Sequence, residues 1–75
     1  MTLSREIHAI PDDIRKVLHD RGLWAAYDER PPYQQNDYIG WIIQAKRDDT
    51  RQKRLDQMLD ELKAGGLYMK MRWTG

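Results

Sequence analysis

YIGWIIQAKRDDTRQKRL, residues 38–55, is the stretch whose reading decides the fold. Eight uncharged, mostly apolar residues run directly into a block in which every side chain is charged or polar. At about 100° per residue, the stripe Leu55, Met58, Leu59 and Leu62 would lie roughly 150° from the apolar centre of residues 38–45 on a single straight helix. Such a helix would leave one stripe in water. The polar block therefore predicts a junction between two helices. Lys46 and Arg47 fall at a helix C-terminus, where cations are favoured, and Asp48 or Asp49 is expected to cap the next helix, with Gln52 as capping-box partner. Arg51 lies one turn before Leu55, so its stem is expected to cover the core. Its guanidinium would then bond a carboxylate or the last carbonyls of the preceding helix.

Upstream of this corner, the third helix is expected from about Tyr33 to Lys46, apolar over more than half its circumference, as in the central helix of a small bundle. Gly40 is a weak spot in it, or a place where another backbone comes close. Before it, Arg30-Pro31-Pro32 must end a helical segment, because consecutive prolines remove donors and forbid the α conformation before them. That segment is short, Leu23 to Tyr27. The first helix opens at Pro11, carries Asp12 and Asp13 in its first turn, places Ile14, Val17 and Leu18 at helical spacing, and ends near Gly22. Downstream, Gly65-Gly66 stops the fourth helix. In the tail, Leu67, Met69, Met71 and Trp73 alternate with Tyr68, Lys70, Arg72 and Thr74, a period of two that predicts a strand. A lone strand cannot satisfy its backbone, so it pairs with residues 3–9, pairs with another chain, or frays. The sequence does not choose among these.

The fold expected is thus mainly α: four helical segments with a short C-terminal strand or extended tail, in a single domain spanning residues 1–75. The chain has 75 residues, no cysteine, 40% hydrophobic residues, three tryptophans and four tyrosines. It can bury a core but with little margin, and disulfides are excluded. Thirteen basic against twelve acidic residues leave a net charge of +1, so any basic effect must be local. No apolar run has the length of a signal peptide or a membrane span, and a cytoplasmic protein is the expectation.

The run Tyr38-x-x-Trp41-Ile42-x-x-Ala45-Lys46-Arg47-x-x-Thr50-Arg51-x-x-Arg54-Leu55, with Leu62 and Gly65 following, resembles the signature of the bacteriocin-protection family, also called YdeI or OmpD-associated. The similarity covers about residues 11–65, with Pro11, Tyr27 and a proline before the third helix also fitting. This resemblance implies a small helical module, often the C-terminal part of a longer chain, and a link to envelope stress or bacteriocin tolerance with no assigned chemistry. The chain departs from the pattern at Tyr33 and Gln34-Gln35, which replace a serine and basic residues, and at Asp48, where proline is frequent. The module also makes up almost the whole sequence, which puts a larger partner domain in doubt.

Two candidate sites emerge. The basic corner, Lys46, Arg47, Arg51 and Arg54, with Lys53 beside it, has the charge to meet phosphate, but Asp48, Asp49, Asp56 and Asp60 are interleaved and would repel a duplex backbone. Nucleic-acid binding is therefore the second reading, behind a solvated helix corner with internal ion pairs. The other candidate is the apolar tail face, Leu67, Met69, Met71 and Trp73, an anchor for a partner or for a second copy. Trp24 and Trp41 are expected in the core. His8 and His19 match no metal spacing and are expected at the surface. No catalytic constellation is present, so the sequence favours a non-enzymatic protein-interaction module without a cofactor.

Overall fold

A computed structural model of the chain describes residues 7–73. Four helices follow in order, α1 (Asp12–Asp20), α2 (Trp24–Asp28), α3 (Pro32–Ile43) and α4 (Asp48–Ala64). Two short strands, β1 (Leu67–Tyr68) and β2 (Met71–Arg72), complete the fold. Pro11 sits just before α1 in extended conformation, and Asp12 and Asp13 fill the first turn, where carboxylates meet the positive end of the helix dipole. Gly22 then adopts a positive φ of 69°, which a side chain would resist, and the Leu23 amide donates to the Leu18 carbonyl at 2.8 Å. This reversal lays α2 against α1. A helix of five residues is not stable alone, and α2 persists because Tyr27 is buried.

The break between α3 and α4 falls at residues 44–47, across the start of the polar block, and separates the two apolar stripes as their phase requires. Both stripes are buried. Tyr38, Ile39 and Ile42 of α3 meet Leu55, Met58, Leu59 and Leu62 of α4, with Ile14 and Leu18 of α1 and Tyr27 of α2 completing the core. Each such side chain contributes on the order of 1.5 to 3 kcal/mol when fully buried. Trp24 and Trp41, expected in the core, are instead half-buried and pack against its outside.

Local details differ from expectation in instructive ways. The third helix ends at Ile43 rather than Lys46, so Lys46 and Arg47 belong to the link. Arg47 occupies the N-cap position of α4 without a side-chain cap bond, and Gln52 donates to Asp56 at 2.9 Å one turn onward instead of closing a capping box. Asp49 accepts the Thr50 amide at 2.9 Å and the Arg47 guanidinium at 3.1 Å, so it meets one free first-turn amide of α4 from within the helix rather than from the N-cap position. Gly40 does mark a close approach, but by a side chain. A Cβ there would lie 2.6 Å from the His8 ring, which is why that histidine is half-buried rather than on the surface.

The C-terminal segment departs furthest. Gly65 ends α4 in the left-handed conformation, and the chain then forms an antiparallel hairpin with Leu67 opposite Arg72 and Tyr68 opposite Met71. The tail pairs with itself, an arrangement that none of the three expected alternatives included. Residues 7–9 have no regular structure, while residues 3–6 and Thr74 lie outside the described residues.

Candidate functional site

The basic corner resolves into separate internal contacts. Arg47 chelates Asp49 through two bonds, 3.1 and 3.3 Å. Arg51 reaches across to α1 and grips both carboxylate oxygens of Asp13 at 2.9 and 3.4 Å. That guanidinium holds the Asp13 carboxyl below its ordinary value. Arg54 donates to the Trp41 carbonyl at 2.6 Å and stands over the Trp41 ring at 5.3 Å from its centroid. The expectation that Arg51 would bond a carboxylate or the end of the previous helix is met by two residues: Arg51 takes the carboxylate and Arg54 the carbonyl. Lys46 and Lys53 are exposed.

The hairpin has a polar bed. Its two-residue loop, Met69-Lys70, carries φ of 50° and 65°, left-handed values usual for Asn-Gly in such loops and costing about 1 to 2 kcal/mol per residue for ordinary side chains. What compensates is Glu61. This carboxylate, only 3% exposed on the inward face of α4, accepts the Met69 amide at 2.8 Å and the Lys70 amide at 2.7 Å. It also accepts the Tyr38 hydroxyl and the Gln57 side-chain amide. Four donors around one carboxylate offset its desolvation, which is the condition for burying a charge without loss.

Beside it, Arg30 is 4% exposed and donates to Gln34 Oε1 at 3.1 Å and to the Glu61 carbonyl at 3.2 Å. Its guanidinium lies 4.6 Å from the centroid of the Trp73 ring. Gln34, fully buried, passes the network on to the Tyr33 hydroxyl at 3.1 Å. Tyr68 of β1 donates to Asp37 at 2.6 Å and meets Tyr33 and Tyr38 edge to face. Burial and these carboxylate partners both push the Tyr38 and Tyr68 phenols well above the ordinary tyrosine value. Among the described residues no buried side-chain polar atom lacks a partner.

This geometry divides the four residues of the expected apolar face. The cross-strand register places Met71 on the face of Tyr68 and Leu67 on the opposite one, and Met69 is in the loop. Trp73 is half-buried on Arg30, whereas Leu67 and Met71 remain 39% and 58% exposed. Period-two alternation survives only where a strand continues, and the Met69-Lys70 turn resets it.

The hairpin also walls a cleft of about 530 Å³ against α3, with Asn36, Asp37, Trp41 and Gln44 on the helix side and Tyr68 and Met69 on the other. His8 also lines it, its backbone amide bonded to the Asn36 side chain at 2.7 Å. Among the described residues no three His, Cys, Asp or Glu side chains come together as a metal site, and no helix is long and apolar enough to cross a membrane. The sequence reading missed Glu61, Arg30 and Gln34. A signal for Glu61 was present, since it stands three residues after Met58 and immediately before Leu62, an acid set into the buried stripe.

Comparison with known proteins matches residues 8–65 to the family described as Bacteriocin-protection, YdeI or OmpD-Associated, so the hairpin lies beyond the matched segment. No curated protein and no solved structure matches the chain.

Proposed function

This chain belongs to the bacteriocin-protection, YdeI or OmpD-associated family, and from that premise we propose that it is a small non-enzymatic interaction module that acts by contact with a protein partner or with a second copy of itself. The observation that carries the reading is the hairpin: Leu67 and Met71 are exposed on an element that Glu61 holds rigidly against the helices. Exposed apolar side chains on a pre-ordered element bind at lower entropic cost than the same side chains on a free tail. Nucleic-acid binding is the weaker reading, because Arg47, Arg51 and Arg54 are each engaged with groups of the chain itself. In this proposal the module works inside the cell, in bacteriocin tolerance or envelope stress.

The test combines sedimentation of the purified chain with a pull-down from host extract, each with and without nuclease, and compares the chain with a Leu67→Ser/Met71→Ser double variant. Both side chains are exposed, so the variant should melt as the parent does. Self-association or a nuclease-insensitive partner, lost in the variant, supports the proposal. Association that nuclease abolishes, or that the variant retains, overturns it.

A further inference from the structure

The outer edge of the hairpin narrows the partner of the contact proposed above, and this step rests on that interaction-module reading. β1 packs against α4, which leaves β2 as the outer strand, with Met71 and Arg72 both exposed. The Trp73 amide donates to the Gly66 carbonyl at 2.9 Å, so residues 66 and 73 form a hydrogen-bonded position of the antiparallel ladder. Such positions alternate with non-hydrogen-bonded ones, and the next pair, Leu67 opposite Arg72, is of the second kind. The Arg72 N–H and C=O therefore point away from β1, and among the described residues no group of the chain bonds them. This is an open strand edge, short but pre-ordered, because Glu61 holds both amides of the adjoining loop.

Charge around that edge has one sign. Lys70 and Arg72 are exposed and enter no ion pair among the described residues, and residues 67–73 hold no acid. An added antiparallel strand would exchange both backbone bonds with Arg72 and set one of its own residues directly opposite. For a second copy related by two-fold symmetry that residue is again Arg72, and two guanidiniums facing each other repel. An anionic lipid surface would meet the cations, but it receives apolar side chains from one side only, whereas Leu67 and Met71 lie on opposite faces of the hairpin. We infer that β2 takes an extended segment of a different protein by β-addition, with a glutamate or aspartate opposite Arg72 and an apolar residue on each side of it. The acid falls on the face of Arg72, and its two neighbours project to the other face, beside Met71. Backbone bonds supply the binding and the alternation supplies the selectivity.

The experiment titrates the full isotope-labelled chain with the peptide acetyl-Thr-Val-Glu-Val-Thr-amide, following the backbone amide signals of Met71, Arg72 and Trp73 by NMR. The Arg72 amide should shift saturably as it gains an acceptor, with a Kd on the order of 1 mM. Lysine in place of the peptide's glutamate should weaken binding about fivefold. Methylating the glutamate nitrogen removes the N–H that meets the Arg72 carbonyl and should abolish binding. Arg72→Glu, at an exposed position with no partner to lose, should reverse the preference so that the lysine peptide binds more tightly. Sedimentation of the parent alone and titration with phosphatidylglycerol vesicles read the other two occupants. The inference is overturned if the glutamate peptide shifts nothing, if the lysine or N-methylated peptide binds as well, or if Arg72→Glu keeps the parent's preference. A dimer formed through these amides, or their shift by the vesicles, overturns it too. Any of these results, with the Leu67→Ser/Met71→Ser variant still losing a nuclease-insensitive partner, removes the strand edge and keeps the module.

Discussion

The corner between α3 and α4 and the bed beneath the C-terminal hairpin are both polar arrays, and they differ in what they exclude from water. At the corner, Arg47 and Asp49 meet with side chains 79% and 59% exposed, and Arg51 and Asp13 with 29% and 62%. Under the hairpin, Arg30, Gln34 and Glu61 are 4%, 0% and 3% exposed. An exposed ion pair is worth about 0 to 1 kcal/mol because water and salt replace most of what it contributes. A buried donor that loses its acceptor costs about 1 to 3 kcal/mol, because nothing replaces it. The densest run of charge in the chain is therefore energetically quiet, and a single glutamate among leucines governs a whole element.

The strongest test of that contrast is Glu61→Ala. It strands the Tyr38 hydroxyl and the Met69 and Lys70 amides together and removes the support of two left-handed residues. The expected cost is on the order of 3 to 5 kcal/mol, a large part of the stability of a small domain. Denaturant melts read the total, and Trp73 fluorescence reads release of the hairpin from Arg30. Glu61→Gln, which keeps one acceptor, should fall between this variant and the parent and covers the case in which the alanine variant does not fold. A cost for Glu61→Ala below about 1 kcal/mol would erase the distinction between the two regions.

At the corner the effect should be smaller and should depend on pH. Arg51→Ala loses the Asp13 bonds and some stem packing, about 1 kcal/mol at neutral pH, while Lys53→Ala should stay within about 0.5 kcal/mol of the parent. Arg51 lowers the folded-state pKa of Asp13 from 3.8, so this contribution is present above the unfolded value and is lost as pH falls through the folded one. The gap between parent and Arg51→Ala should accordingly close in acid. Melts at neutral and at acid pH check this, and a gap that widens in acid would contradict the pairing.

The smallest effect is expected at Gly40→Ala, at a packing contact with His8 that belongs to neither array. Alanine gains up to about 1 kcal/mol of helix propensity over glycine, and the new methyl displaces the His8 ring at the far end of a flexible side chain. Net stability should change by no more than about 0.5 kcal/mol, with the His8 imidazole resonances shifted. A loss above about 2 kcal/mol would show that the His8 contact behaves like the buried bed rather than like the yielding corner.

The sequence by itself determined the four helices, the existence of a break beside the polar block, which falls at residues 44–47, and the buried stripe of α4. Each follows from local physics: prolines and glycines that end helices, and a periodicity that sorts apolar from polar side chains. The segment matched to the family was legible too, since its Trp-Ile-x-x-Ala-Lys-Arg-x-x-Thr-Arg core lies within one continuous run. Only the tertiary structure decided the tail. Whether residues 67–73 extend or fold back depends on two backbone amides finding an acceptor, and that acceptor is the Glu61 carboxylate, eight and nine residues earlier and facing the core. Period two cannot reveal a turn at Met69-Lys70, because neither residue favours a left-handed backbone without that partner. The cleft is hidden from sequence for the same reason. Trp41 and Tyr68 lie 27 residues apart and line one cleft only when a buried charge holds the hairpin against α3.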